Sequence, residues 1–228
     1  MPSSDPLVRE IETPLGPARI TVHPAQVATA AAVRGTVVLG HGAGGGIGAP
    51  DLVAVTAATC AAGWRVVLVE QPWRVAGRKV AAPPPRLDVA WLVVVRALGL
   101  ASTALDAAPP GELLVLGGRS AGARVACRTA AELGADGVLA LAFPLHPPGR
   151  PDRSRAGELA SAGVATLVIQ GRRDAFGTPD EVAVAVPGVQ VHSVDGDHGL
   201  KADPDGVANA AVSWLDALSR RAGRPAGR

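Results

Sequence analysis

The chain has 228 residues, 48% of them hydrophobic and 18% charged, with a formal net charge of +2. This length builds one α/β domain with a substantial core and is too short for two. No apolar run approaches the roughly 18 residues of a membrane span, and Met1 to Glu10 lack a signal-like apolar segment, so a soluble cytoplasmic protein is expected.

In chain order, apolar alternation predicts strands over Leu7 to Glu12 and Ala18 to His23, joined as an antiparallel hairpin by the turn Thr13-Pro14-Leu15-Gly16. Thr36 to Gly40 is a short continuous apolar run, the pattern of a strand buried on both faces. A helix is expected over Asp51 to Gly63, a strand over Arg65 to Glu70, and a loop rich in proline and arginine over Gln71 to Pro85. There follow a helix from Leu87 to Leu105, a strand from Leu113 to Leu116, a helix from Ser120 to Leu133 and a strand from Gly137 to Phe143. After the loop Pro144 to Arg153, the pattern predicts a helix to Ala162, a strand over Ala165 to Gln170, a short helix over Pro179 to Val186, a strand over Val189 to Val194 and a closing helix over Pro204 to Ala222. Helices and strands alternate throughout, which predicts a doubly wound, mostly parallel sheet of eight strands with helices on both faces and no large cap. Residues 1–222 are read as a single domain and 223–228 as a disordered tail, part of the basic cluster Arg220 to Arg228. The other basic residues are scattered, so neither nucleic acid nor membrane is expected as a partner. Cys60 and Cys127, both in expected helices, are read as buried free thiols that imply no disulfide or metal framework.

Chemistry concentrates in Gly118-Arg119-Ser120-Ala121-Gly122, placed between a strand and a helix. A serine on such a sharp turn exposes its hydroxyl above the sheet edge, and flanking glycines make the turn sterically possible. Ser120 is therefore a candidate nucleophile, although a serine there also serves as a plain helix N-cap. The turn aims the backbone N–H of Ala121 at the site of a developing oxyanion. The glycine-rich run after His41 offers a second N–H, that of Ala43, with His41 itself structural. Asp174 follows an expected strand, on the sheet edge where α/β proteins hold their sites, and suits the role of orienting a histidine. His198 follows the last strand and suits a general base. His192 lies within that strand and His23 in the hairpin, while Asp195 and Asp197 sit too close to His198 in sequence to reach behind its ring.

Together these segments resemble the α/β-hydrolase superfamily. They are most similar to the branch that contains the testis-expressed hydrolase-like protein and a subunit of a chromatin acetylation complex, near the dienelactone hydrolases. The matching stretches are Gly40 to Gly44, Gly117 to Ala126, Phe143 to Gly149, Gln170 to Thr178 and Gly196 to Lys201. The resemblance implies a triad of Ser120, Asp174 and His198. Where the branch often has Met after the nucleophile, this chain has Ala121, which leaves a backbone donor intact. The expected activity is hydrolysis of a small-molecule ester or thioester, with no metal or organic cofactor, by a monomer or homodimer. His146 is a candidate wall of the acyl pocket, against the alternative of a rigid proline turn. Arg119 and Arg78, with Arg74, Lys79 and Arg150, are candidate contacts for an anionic substrate. Two other readings stand beside it. One is a non-catalytic scaffold of the same fold. The other is a dinucleotide-binding oxidoreductase, since Gly40 to Gly45 fits G-x-G-x-x-G and Glu70 ends the next strand.

Overall fold

The computed structural model describes residues 6–99 and 112–222. Its centre is an eight-stranded sheet. The strands are β1 (Leu7–Ile11), β2 (Ala18–His23), β3 (Gly35–Gly40), β4 (Arg65–Glu70), β5 (Leu113–Arg119), β6 (Gly137–Leu141), β7 (Ala165–Gly171) and β8 (Gln190–Val194). Their spatial order is β1-β2-β4-β3-β5-β6-β7-β8. β1 pairs antiparallel with β2, and β2 antiparallel with β4, while every pairing from β4 through β3 to β8 is parallel. Parallel pairing aligns the C-terminal ends of β3, β5, β6, β7 and β8 along one edge, and crossover helices then cover both faces.

The helices are α1 (Pro50–Ala61), α2 (Pro72–Val75), α3 (Pro84–Ala97), α4 (Ala121–Thr129), α5 (Ala156–Ala160), α6 (Pro179–Ala185) and α7 (Pro204–Ala222). One face of the sheet packs against α1 and α7, through Leu52, Trp64, Leu139 and Leu215. The other face carries α3 and α4, with Trp91, Val95, Val125 and Phe143 in its core. Trp64 and Trp91 are wholly removed from water. Burying each such large side chain contributes about 2–3 kcal/mol, so two apolar layers hold the sheet edge rigid. Among the described residues no helix is long and apolar enough to cross a membrane.

The elements depart from the sequence reading in instructive places. β5 continues three residues beyond Leu116, so Ser120 directly follows it. β6 stops at Leu141, two residues early, because Ala142 turns out of the strand with φ +47°. α3 begins at Pro84 rather than Leu87, since a proline in the first turn has no N–H to lose and its φ is already helical. It ends at Ala97, with Gly99 at φ +69°. The expected continuation through residues 100–105 lies outside the described residues, as does the tail 223–228. The helix expected from Ser120 to Leu133 gives way after Thr129 to turns, although Leu133 N–H still reaches the Thr129 carbonyl at 3.1 Å. Within the expected loop Gln71 to Pro85, the one-turn α2 forms with Pro72 in its first turn. A 3-10 turn at Ala30–Ala32 has no counterpart in the sequence reading.

Candidate active site

Ser120 stands at the junction of β5 and α4. Its backbone is at φ +52° and ψ −106°, a conformation that costs a non-glycine residue of order 1–3 kcal/mol. The neighbours make this possible. A Cβ on Gly118 would sit 2.4 Å from the Gly40 carbonyl oxygen, and one on Gly122 would sit 2.5 Å from the Gly40 carbonyl carbon and oxygen. Both glycines thus let α4 press directly against β3. Ser120 N–H donates to the Leu141 carbonyl at 2.9 Å, which ties the turn to β6. The residue occupies the N-cap position of α4, yet its side chain makes no capping hydrogen bond. The hydroxyl points elsewhere.

It points to His198, on the loop after β8. Ser120 Oγ lies 2.9 Å from His198 Nε2, and His198 Nδ1 lies 2.8 Å from Asp174 Oδ2. The carboxylate fixes the tautomer. Nδ1–H donates to it, leaving Nε2 free to accept the serine proton. Asp174 sits in the loop after β7 and is only 2% exposed. Its Oδ1 accepts from Phe176 N–H at 2.8 Å, and its Oδ2 also accepts from Gln170 Nε2 at 2.9 Å. Gln170, wholly buried at the end of β7, shares its two N–H groups between that oxygen, the Phe143 carbonyl at 3.1 Å and the Gly177 carbonyl at 2.7 Å. The Phe176 ring packs on the imidazole, centroids 4.2 Å apart. Asp197 turns to Gly199 N–H at 2.8 Å and Asp195 to Arg172 at 3.5 Å, so neither reaches behind the histidine. His192 is exposed, paired along β8 opposite Ile169.

The loop after β3 is pinned from below by His41. Nδ1–H donates to the Gly42 carbonyl at 2.9 Å, and Nε2 accepts Gln71 N–H at 3.2 Å. The Nε2 contact requires the neutral ring, and burial lowers its pKa below the ordinary 6.5. Above the loop opens a cleft of about 830 Å³ whose lining includes Ala43, Ser120, Ala121, Phe176 and His198. Among the described residues the N–H groups of Ala43 and Ala121 have no protein acceptor. The cavity behind the elbow, against His41 and Trp91, measures only about 10 Å³.

Of three side chains proposed from the sequence as substrate contacts, Arg78 and His146 lie outside the cleft and Arg119 lines it. Arg78 lines a separate cavity of about 490 Å³ with Trp73 and Lys79, because α2 turns that stretch away from Ser120. His146 is buried under the cleft wall, with Nδ1 3.0 Å from the Pro147 carbonyl and Nε2 3.6 Å from Glu181 Oε1. Pro144, not His146, reaches the cleft. Arg119 does line it, but its charge is engaged. Nη2 donates to the His198 carbonyl at 2.7 Å, and Nε lies 2.9 Å from Oδ2 of buried Asp51. The Nε–H is not aimed at that oxygen, so the contact is an ion pair without a directed hydrogen bond. Burial raises the Asp51 pKa, and the Arg119 charge opposes that rise. Gln170, Asp51, Arg124, Arg155 and Lys201 escaped the sequence reading. Only Arg124, one helical turn after Ser120, carried a periodic signal that places it near the cleft.

Gly45 and the start of α1 at Pro50 are separated by four residues, so the glycine run does not lead directly into a helix N-terminus. Comparison with solved structures finds the same fold in proteins of low identity. The fold matches a lidless α/β serine hydrolase from Xanthomonas campestris with TM-score 0.69 and 21% identity, covering 99% of this chain and 98% of that one. It also matches the esterase domain of a Rhodothermus marinus protein, with TM-score 0.68, 13% identity and coverage of 95% and 98%. Est1E from Butyrivibrio proteoclasticus, with ferulic acid bound, gives TM-score 0.74, 12% identity and coverage of 92% and 98%. A search of curated proteins returns no match. A sequence profile described as "Alpha/beta hydrolase domain" matches residues 33–220, most of the chain including Ser120, Asp174 and His198, and the chain belongs to that α/β-hydrolase family.

Proposed function

We propose that this chain is a serine hydrolase that cleaves a carboxylic ester or thioester through an acyl-enzyme on Ser120. The observation that carries the reading is the unbroken relay from Ser120 Oγ to His198 Nε2 and from His198 Nδ1 to Asp174 Oδ2, at 2.9 and 2.8 Å. In the first half-reaction Ser120 Oγ bonds to the acyl carbon while its proton passes to His198 Nε2. The resulting oxyanion accepts hydrogen bonds from the N–H groups of Ala43 and Ala121. As the bond to the leaving group breaks, the alcohol or thiol takes the proton from Nε2. Water then attacks the acyl carbon with the same base, releasing the acid and restoring Ser120 Oγ–H. Asp174 stays ionised and stabilises the imidazolium. No step needs a metal or organic cofactor.

A broad cleft, with a cavity of only about 10 Å³ behind the elbow, suits short or medium acyl groups lying against the surface. The resemblance to the testis-expressed hydrolase-like branch belongs with this reading, as does a cytoplasmic setting. Cys60 and Cys127 are buried free thiols, which suits a reducing compartment. The test is labelling by a fluorophosphonate probe. Wild type is expected to label, and Ser120→Ala and His198→Ala to lose the label. A folded wild type that does not label would overturn the reading in favour of a non-catalytic fold.

A further inference from the structure

The charges that line the cleft are all of one sign. Arg74, Arg119, Arg124, Arg155 and Lys201 reach it, and among the described residues no carboxylate does. Two of the five are neutralised from behind. Arg119 pairs with Asp51. Arg124 makes a two-point contact with Glu158, Nε to Oε2 at 2.8 Å and Nη2 to Oε1 at 2.5 Å. That same carboxylate also pairs with Arg128, which in turn makes a two-point contact with Asp88 at 2.8 and 2.6 Å. The group around Glu158 therefore contains three guanidinium ions, Arg124, Arg128 and Arg155, against two carboxylates. Arg155 is left with the surplus charge. It is half-buried, and among the described residues its guanidinium has one acceptor, the Pro144 carbonyl at 3.0 Å. Burial and the Arg124 charge lower its pKa, and the Glu158 charge offsets this only in part. Arg74, beside Gly46, and Lys201, two residues past Gly199, also form no ion pair among the described residues.

Holding a cation half-buried beside other cations costs free energy unless an anion completes the set. Such a site strengthens an approaching anion, because the surrounding protein screens less than water does. A guanidinium with free N–H groups matches a planar carboxylate or a phosphate better than any neutral group.

Resting on the serine-hydrolase reading, we propose that the substrate carries an anionic group, carboxylate or phosphate, bound by Arg155 with Arg74 and Lys201 while its ester carbonyl meets Ser120. Neutral esters of equal length leave the surplus charge unmatched and bind more weakly.

Binding and turnover are measured separately, so that failure of the two ideas can be told apart. In Ser120→Ala protein, which leaves substrate uncleaved, calorimetry compares the 4-nitrophenyl monoester of glutaric acid with 4-nitrophenyl pentanoate. The monoester is expected to bind at least about tenfold tighter, roughly 1.4 kcal/mol. Adding Arg155→Gln is expected to remove most of that preference, and Arg155→Lys to retain most of it. A loss in Arg155→Lys equal to that in Arg155→Gln would assign the effect to the Pro144 contact and overturn the charge argument. Equal binding of the two esters would overturn the proposal whatever the turnover. A monoester preference in Ser120→Ala combined with no hydrolysis by wild type would leave the anion site standing and sink the hydrolase reading. Repeating the titration with phenyl phosphate separates the sources. Binding of phenyl phosphate tighter than that of the glutaric monoester identifies a phosphate-bearing substrate, and the reverse a carboxylate-bearing one.

Discussion

Gln170 shows how much of this site depends on one amide. Its amide shares Asp174 Oδ2 with the histidine and so steadies the oxygen that faces the ring, and its two other acceptors fix it in turn. A hydrogen bond to a charged group contributes about 1.5–3 kcal/mol, so Gln170→Met is expected to lower kcat on a neutral ester about ten- to a hundredfold, with a far smaller change in KM. Counting active sites with a fluorophosphonate separates this from simple loss of folded protein. An unchanged kcat per labelled site would show that Asp174 needs no such support. His41 makes a different prediction. Its folded pKa lies below its ordinary value, so the unfolded chain binds the proton more readily and acid favours unfolding. The contribution is present above pH 6.5, the ordinary value, and is lost as pH falls through that value towards the folded pKa. Urea midpoints measured from pH 8 to pH 5.5 are expected to fall, and to fall less steeply in His41→Gln. Parallel slopes in both proteins would exclude His41 as a source of acid sensitivity.

At the scale of elements, the contact of α4 with β3 decides where Ser120 stands. No side chain intervenes, since Gly122 and Gly40 touch backbone to backbone. Gly122→Ala would drive a Cβ into the Gly40 carbonyl, and backbone on both sides cannot yield as a flexible side chain would. The expected result is a loss of at least about 3 kcal/mol in stability by urea denaturation, together with loss of fluorophosphonate labelling. A variant of wild-type stability would mean that α4 can shift outward without strain. The same contact explains what was legible in the sequence. The strand before Ser120, the helix after it and the small residues on either side are local features, written between Leu113 and Thr129. The full length of β5, the early end of β6 and the single turn of α2 are set by partners in the sheet and by prolines whose effect depends on context.

For the whole molecule, the two apolar layers should unfold together, and the thiols report on both. Cys60 lies in the layer of α1 and α7, and Cys127 in the layer of α3 and α4. Burial pushes the Cys60 thiol up to about 11 and the Cys127 thiol up to about 12. Neither is expected to react with an aromatic disulfide reagent at pH 8 in the native state. Both should become reactive with the same urea midpoint, because the layers share one sheet. Release of one thiol well before the other would show that one face opens by itself.

The sequence by itself determined the alternation of strands and helices, hence the parallel sheet, and the placement of Ser120, Asp174 and His198 after β5, β7 and β8. These follow from local periodicity and from the rule that parallel strands end along one edge, so side chains far apart in the chain arrive together. Only the tertiary structure decided which arginines face the cleft and which of them are already neutralised. An arginine side chain is long, and its direction depends on carboxylates contributed by distant helices. The pairing of Arg119 with Asp51 and of Arg124 with Glu158, the turning away of Arg78 and the surplus charge on Arg155 depend on that packing, which no spacing along the chain encodes.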